Sequence, residues 1–218
     1  MTFSLTYAFS ENYVLAISHD EVVHGKCSMI GKQPGLYHDK FAGLRAFYGF
    51  MFAHPGKKLL FMGSEFAQFI EWNYKQELDW LLLDYDQHRL MKNYVKSLNK
   101  FYLTHKALYE NDCDWNSFKW VVVDDCYQNV FAFNRYDKSG NYVLCIVNFS
   151  PVTRANYKIG VPDEGEYKIS FNSDDEEFGG DGLTSGVVRS CKGEMHGFSN
   201  YVDLTIAGNS VLYVERAI

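Results

Sequence analysis

Hydrophobic residues near the amino end of the chain follow a strand, helix, strand pattern. The extended-looking run from Val14 to Ser18 predicts a buried strand. Asp39 is a candidate cap for a helix that ends before His54-Pro55-Gly56. The apolar residues of that helix recur at spacings of three and four: Phe41, Leu44, Phe47, Tyr48 and Met51. Leu59 to Met62 then predicts a second short buried strand, and the succession indicates a parallel βαβ unit.

A second helix follows, and the pattern then changes. Asp86 opens a helix with one apolar, core-facing stripe: Leu90, Met91, Tyr94, Val95, Leu98 and Tyr102. After about Leu108 the chain becomes a series of short runs rich in Val, Ile, Tyr and Phe, and Asp137 to Asn141 is a hairpin signal. The runs are Phe118 to Val123, Val130 to Asn134, Tyr142 to Asn148, Tyr157 to Ile159, Tyr167 to Phe171, Tyr201 to Ile206 and Val211 to Val214. Their regular spacing predicts an antiparallel β-sandwich.

The change of pattern divides the chain into two predicted domains. Residues 1–107 hold the α/β part, and residues 108–218 hold the all-β part. Because no repeat, low-complexity tract or flexible linker separates them, we expect the two parts to pack directly on each other.

Ionisable side chains cluster where the first strand ends. Ser18-His19-Asp20-Glu21 follows that strand directly, and His24 and Cys27 come soon after. In barrel and open α/β folds the carboxyl end of a strand faces the substrate, so this cluster predicts a catalytic group. The alternative is a polar loop that only caps the strand.

The spacing of this cluster argues against metal chemistry. His19 and His24 are five residues apart and Asp20 follows the first, whereas a zincin helix needs His at i and i+4 with Glu beside the first. Glu21 and His24 form one Glu-x-x-His pair, but a di-iron bundle needs two such pairs and further carboxylates. Cys27 beside a base can act as a nucleophile, yet a lone Cys near a His is more often inert packing. We predict no metal and no cofactor.

Composition excludes several classes of partner. The net charge of −6 leaves no basic stripe, so nucleic acid is not an expected partner. No run approaches the ~18 apolar residues of a membrane span, and the amino end lacks an export signal. The five cysteines are scattered without metal or disulfide spacing, which predicts reduced thiols in a cytoplasm. The acidic stretch from Ser173 to Gly182 lacks the ligand order of an EF-hand and predicts a solvated loop.

Four segments together resemble the glycogen branching enzymes of the α-amylase superfamily. They are Ser18-His19-Asp20-Glu21-Val22-Val23-His24-Gly25-Lys26, Pro55-Gly56-Lys57-Lys58-Leu59-Leu60-Phe61-Met62-Gly63, Glu65-Phe66-Ala67-Gln68 and Glu71-Trp72-Asn73. His-Asp after a strand is shared by the whole superfamily, whereas the Glu-Val-Val-His-Gly-Lys extension resembles branching enzymes in particular. The resemblance implies that the chain holds the last strands and helices of a (β/α)₈ (TIM) barrel followed by the family's all-β domain.

The resemblance also implies a role for each matching residue. Family members cleave an α-1,4 glucan with retention, and the nucleophilic Asp and the acid/base Glu stand on strands that would precede Met1. Asp20 would be the third carboxylate, which stabilises the positive charge of the transition state, and His19 would donate to the same sugar. His24 and Glu21 would line the acceptor side or anchor the loop, and we favour the anchoring role for Glu21. Further candidates for substrate binding follow the second strand: Glu65, Gln68 and Trp72.

Three functions therefore stay open. The first is a fragment of a branching transferase that is inactive alone, with α-glucan and the missing upstream part of the enzyme as partners. The second is a non-catalytic α-glucan-binding module, which would need aromatic platforms but no carboxylate at a strand end. The third is a fragment of an α-glucan hydrolase of the same superfamily, which differs only in using water as the acceptor.

Overall fold

The amino-terminal part of the structure contains a parallel βαβ unit. The computed structural model describes residue 5 and residues 8–217. Strand β1 (Val14–Ile17) pairs in parallel with strand β2 (Lys57–Leu60), with Val14 opposite Lys57 and Ile17 opposite Leu60. Helix α1 (Tyr37–Ala53) connects the two strands. The predicted strand, helix, strand order is confirmed, and both carboxyl ends lie at the same edge.

Two details of this unit differ from the prediction. Helix α1 begins at Tyr37, and Asp39 lies in its first turn and not before it, where its Oδ2 accepts the backbone N–H of the N-cap residue Leu36 at 2.9 Å. The two strands are buried only in part, since Ile17 is buried but Val14 is 54% and Leu59 41% exposed. Alternating apolar residues predict which faces can be covered but not whether a neighbour covers them, and these two strands pair only with each other among the described residues.

Helix α2 (Asp86–Thr104) has the predicted apolar stripe. Tyr94 and Leu98 are fully buried, and Leu90 and Tyr102 at its margins are partly buried. The stripe therefore packs into the core, as predicted.

Nine antiparallel strands follow in two sheets, which confirms the predicted sandwich. One sheet has six strands in the order β3-β4-β5-β11-β7-β8, and the other has three in the order β6-β10-β9. The hairpin at Asp137 to Asn141 joins β4 to β5, and Gly140 takes the left-handed conformation that the turn requires. The strands are β3 (Phe118–Val122), β4 (Val130–Tyr136), β5 (Tyr142–Asn148), β6 (Arg154–Val161), β7 (Glu166–Asn172), β8 (Val187–Arg189), β9 (Cys191–Met195), β10 (Phe198–Ile206) and β11 (Ser210–Arg216).

The six-stranded sheet is covered on both faces. One face packs against the three-stranded sheet around residues such as Ile146 and Val202, and the other packs against the two helices around Phe133 and Tyr213. Helix α1 approaches β11 closely at Gly49, whose carbonyl accepts the Tyr213 hydroxyl at 2.5 Å. The two parts of the chain pack directly on each other, while the boundary at residues 107 and 108 stays a prediction.

Arg135 of β4 ties the helical part to the sandwich through a buried charge network. Its guanidinium donates to the carbonyl of Ala53 at 2.5 Å and to the Asp112 carboxylate at 2.7 Å. The other oxygen of Asp112 accepts from Lys57, the first residue of β2, at 2.8 Å. Because the side chain of Arg135 is 0% exposed and that of Asp112 is 5% exposed, each depends on the other for its compensating charge.

The acidic stretch from Ser173 to Gly182 is the predicted solvated loop only in part, since Glu176, Glu177 and Asp181 are exposed but its first residues are not. Ser173 and Asp174 are buried, and the buried Arg45 of α1 donates to the carbonyl of Ser173 at 2.8 Å. The carboxylate of Asp174 accepts the N–H groups of Asp181 and Leu183, both at 3.2 Å. The start of the stretch folds inward because the Asp174 carboxylate and the Ser173 carbonyl accept hydrogen bonds from backbone and arginine donors, whereas the later acidic side chains face solvent.

Candidate active site

The turn after β1 presents the predicted catalytic pair. Ser18 caps a short 3-10 turn, His19–Glu21, and its Oγ accepts the Asp20 N–H at 3.2 Å. The chain after β2 stays alongside, because Phe61 donates its N–H to the carbonyl of Ile17 at 2.9 Å. The side chains of His19 and Asp20 consequently stand at the carboxyl end of the parallel pair.

His19 and Asp20 contact each other and remain open to solvent. His19 Nε2 lies 3.2 Å from Asp20 Oδ1, and the two side chains are 54% and 76% exposed. The imidazole lies beside the rings of Phe61 and Trp72, with both centroids 6.1 Å away. This aromatic wall orients His19, whereas Asp20 contacts His19 through one carboxylate oxygen and accepts from the Ser18 hydroxyl at 3.4 Å through the other.

Glu71 joins the loop after β1 to the loop after β2. Its two oxygens accept the N–H groups of Cys27 at 2.8 Å and of Gly25 at 3.0 Å. His24 Nδ1 lies 3.3 Å from the same carboxylate. The N–H groups of Cys27 and Gly25, followed by His24, hold the pKa of Glu71 below its ordinary value, because each favours the charged carboxylate.

Glu21 and His24, the other candidates in the loop after β1, differ in their contacts and exposure. Glu21 lies 3.9 Å from Lys32 Nζ, and Lys32 also donates to the Glu21 carbonyl; these contacts are compatible with the anchoring role that we favoured, which stays a prediction. The His24 side chain is fully exposed apart from its contact with Glu71. His24, Trp72, Tyr74 and Lys75 line one open groove beside the strand-end pair.

Two candidates after β2 do not join this cluster. Glu65 lies in the 3-10 turn Ser64–Phe66 and lines a groove along α2 with Arg89 and Lys96. Gln68 is buried, with its amide oxygen accepting from Asp79 N–H at 2.9 Å and its amide nitrogen donating to Ile70 at 3.2 Å. The 3-10 turn directs Glu65 toward α2 and places Gln68 beneath the next loop. These contacts favour structural roles for the two residues over the substrate binding that we predicted.

The remaining groups with possible metal or thiol chemistry are the clusters of His, Cys, Asp and Glu and the five cysteines. No group of three or more His, Cys, Asp or Glu side chains within residues 8–217 could hold a metal ion. Cys27 takes part in the candidate site through its backbone N–H, which it donates to the Glu71 carboxylate. The five cysteines, 27, 113, 126, 145 and 191, are free.

Sequence reasoning gave no role to Glu71, although Glu71-Trp72-Asn73 contributed to the resemblance. Its partners lie 44 and 46 residues away along the chain, so no local spacing could reveal them. The only available signal was a charged residue directly before an aromatic one in a loop that follows a predicted strand.

Comparisons with known proteins give one family match and several similar sequences. Residues 120–217 match the family described as "Alpha amylase, C-terminal all-beta domain". The chain is 52% identical over 217 residues to the 1,4-alpha-glucan branching enzyme GlgB of Halothermothrix orenii, covering 99% of this chain and 34% of that protein. It is 49% identical to GlgB of Aquifex aeolicus, covering 99% of this chain and 35% of that protein.

This chain resembles the carboxyl-terminal third of a 1,4-alpha-glucan branching enzyme. It spans about a third of the length of the curated relatives it matches. No helix in the described part of the chain is long and apolar enough to cross a membrane.

Solved structures show the same fold at low sequence identity. AmyP E221Q in complex with maltotriose superposes with a TM-score of 0.58 at 14% identity, covering 82% of this chain and 35% of that chain. A debranching enzyme of Nostoc punctiforme gives a TM-score of 0.57 at 13% identity, covering 93% of this chain and 35% of that chain. At these identities the likeness concerns the fold alone.

Proposed function

We propose that this chain is the carboxyl-terminal part of a branching enzyme that cleaves an α-1,4 glucan with retention and transfers it to a 6-hydroxyl, making the α-1,6 branches of glycogen. The observation that carries the proposal is the His19 and Asp20 pair at the carboxyl end of two parallel strands. It occurs in a chain about half identical to branching enzymes along almost its whole length.

We further propose that β1, α1 and β2 are the closing part of a (β/α)₈ barrel. The parallel pairing through a helix supports this, because barrels repeat that unit. An open apolar groove beside β1 supports it too, since Leu15, Ile17, Phe47 and Met51 line a surface suited to further strands and helices. The upstream part of the same enzyme would be the partner that covers this groove.

Asp20 is proposed as the transition-state stabiliser. Retention requires a nucleophile and an acid/base, which the resemblance assigns to earlier strands, so the isolated chain should be inactive. Asp20 would hydrogen-bond the donor sugar and offset the positive charge at the anomeric carbon, with His19 donating to the same sugar. A fixed charge in a site that excludes water can stabilise a transition state by ~3 kcal/mol. Upstream strands that cover the open strand end would exclude water from this site.

The groove lined by His24 and Trp72 is proposed to bind α-glucan on the acceptor side. Trp72 offers an aromatic ring next to His19, and His24 offers a solvent-exposed hydrogen-bonding group. Structural neighbours solved with maltotriose and with maltose give further support for an α-glucan ligand. We place the enzyme in the cytoplasm because all five cysteines are free thiols.

The test replaces the matching third of the Halothermothrix orenii enzyme with this chain. The hybrid is incubated with amylose, and α-1,6 linkages are counted by debranching, alongside the isolated chain. We expect branching by the hybrid and none by the chain alone. A soluble, folded hybrid that makes no branches would contradict the proposal.

The same assay separates the two alternatives. A hydrolase would raise the number of reducing ends without new α-1,6 linkages, since water replaces the sugar acceptor. A non-catalytic binding module would bind α-glucan in the isolated chain, and a hybrid carrying Asp20→Asn would keep its activity.

A further inference from the structure

Glu71 lies where the loops after the two parallel strands meet. Its carboxylate accepts two backbone N–H groups from the first loop, at 2.8 Å from Cys27 and 3.0 Å from Gly25, and faces His24 Nδ1 at 3.3 Å. Charged acceptors form the stronger class of hydrogen bond. One side chain of the loop after β2 thus holds three positions of the loop after β1, residues 24, 25 and 27.

The backbone that Glu71 holds needs such support. Gly25 has φ of 81° and Cys27 has φ of 62°, both in the left-handed region. Glycine adopts this region readily, but a side chain such as that of Cys27 disfavours it. The carboxylate accepts the N–H of the disfavoured residue itself and therefore stabilises the conformation where it is least favourable.

The residue after Glu71 extends the support to the catalytic pair. Trp72 donates its N–H to the carbonyl of Val22 at 2.8 Å, directly after the turn that carries His19 and Asp20. Its ring packs against Phe61 at 5.2 Å and lies 6.1 Å from His19. Movement of Glu71 would therefore shift both the backbone after the turn and the wall that orients His19.

We propose that Glu71 is a positioning residue for the strand-end site: it fixes the loop of residues 22–27 and, through Trp72, the orientation of His19 and Asp20. What the positioned groups do rests on the proposed function. The positioning itself is a property of this chain alone, so the two can be tested separately.

The first experiment measures amide hydrogen exchange in the full chain and in Glu71→Gln. The amide keeps the size of the side chain but loses its charge and one acceptor oxygen. We expect the amides of Gly25 and Cys27 to exchange about tenfold faster or more, since charge-assisted bonds protect them. Glu77→Gln, an exposed change in the same loop, is the matched control and should leave both rates unchanged. Equal exchange in Glu71→Gln and the parent chain would overturn the proposal.

A second variant separates positioning from general stability. Adding Cys27→Gly to Glu71→Gln removes the cost of the left-handed residue and should slow the exchange of the Gly25 amide again. Alkylation of the Cys27 thiol by iodoacetamide gives an independent measure and should accelerate in Glu71→Gln. Unchanged alkylation and exchange in a variant that melts at a lower temperature would assign Glu71 to stability alone and reject positioning.

The third experiment uses the hybrid enzyme described above. We expect Glu71→Gln to lower kcat about tenfold while KM stays within about twofold, because misplaced groups weaken transition-state binding more than ground-state binding. Cys27→Gly should restore part of the kcat. Full kcat despite a loosened loop would overturn the positioning role, whereas an inactive parent hybrid would overturn the proposed function and leave the exchange result standing.

Discussion

Replacing Asp112 by Ala should destabilise the protein far more than a surface substitution of similar size. The change removes the carboxylate that lies 2.7 Å from the Arg135 guanidinium, whose side chain is 0% exposed. Breaking a buried pair by deleting one partner typically costs ~3–5 kcal/mol, because the remaining charge is left uncompensated away from water. Arg135 keeps its bond to Ala53, so we expect about 3 kcal/mol.

A matched variant is available on the same carboxylate. Lys57 contacts Asp112 at 2.8 Å, as closely as Arg135 does, but its side chain is 59% exposed. An exposed partner contributes little, so Lys57→Met should cost at most ~1 kcal/mol. The double variant Asp112→Ala with Arg135→Met should cost less than the sum of the single changes, because it removes the stranded charge.

The assay is urea unfolding followed by circular dichroism and tryptophan fluorescence at neutral pH. Acid adds a second check: burial opposes ionisation of Asp112, but Lys57 and Arg135 outweigh it and lower its pKa below 3.8. A lowered carboxyl pKa gives stability that is present above pH ~4 and is lost as the pH falls through the folded value. In acid, the free energy of unfolding of Asp112→Ala should therefore depend less steeply on pH than that of the parent protein. An Asp112→Ala cost below ~1 kcal/mol, or equal to that of Lys57→Met, would refute the reasoning.

Three further substitutions test other parts of the fold. Gly49→Ala would put a methyl group 2.1 Å from Val211 Cγ1, so we expect a loss of ~2–3 kcal/mol in urea unfolding, and a neutral change would contradict the close packing. Burial raises the pKa of Asp175 to about 6, so the folded state loses stability as the pH rises from 3.8 toward 6, and Asp175→Asn should raise the melting temperature at pH 8 but not at pH 4. Burial opposes protonation of His105, yet its hydrogen bond to Glu215 raises the pKa above 6.5, so its contribution is complete below pH 6.5 and lost as the pH rises through the folded value. His105→Gln should therefore cost ~1 kcal/mol more at pH 6 than at pH 9, where the contact of the ring with Phe101 is lost but no ion pair, and equal costs at both pH values would contradict the pairing.

The sequence predicted those elements whose apolar residues repeat and become buried. Helix α2 carries a stripe with the helical period, and β4 and β5 are apolar runs joined by the turn Asp137 to Asn141, so each pattern identified its element. Strands β8 and β9 escaped prediction because both are short and mostly exposed and therefore lack alternation. The pattern of apolar residues identifies segments that bury side chains, and it misses strands that are held in a sheet by backbone pairing alone.

The site was partly predictable for a related reason. His19 and Asp20 follow their strand directly, so local order placed them at the strand end. Glu65 and Gln68 were harder, because Gly63 and Ala67 flank the turn in left-handed conformations that redirect the chain. Ala67 carries no sequence sign of that conformation, since a side chain disfavours it. Glu71 acts through partners distant in sequence, which no spacing rule detects.

The central claim is that Asp20 stabilises the transition state of glucan branching. The most direct measurement compares the hybrid enzyme with its Asp20→Asn variant, counting α-1,6 linkages formed on amylose per mole of folded protein. Asparagine keeps the shape but removes the charge, and we expect branching to fall at least ~100-fold, while Glu77→Gln changes it little. Undiminished branching by a folded Asp20→Asn hybrid would contradict the account and favour a binding module in which the strand end has no catalytic part.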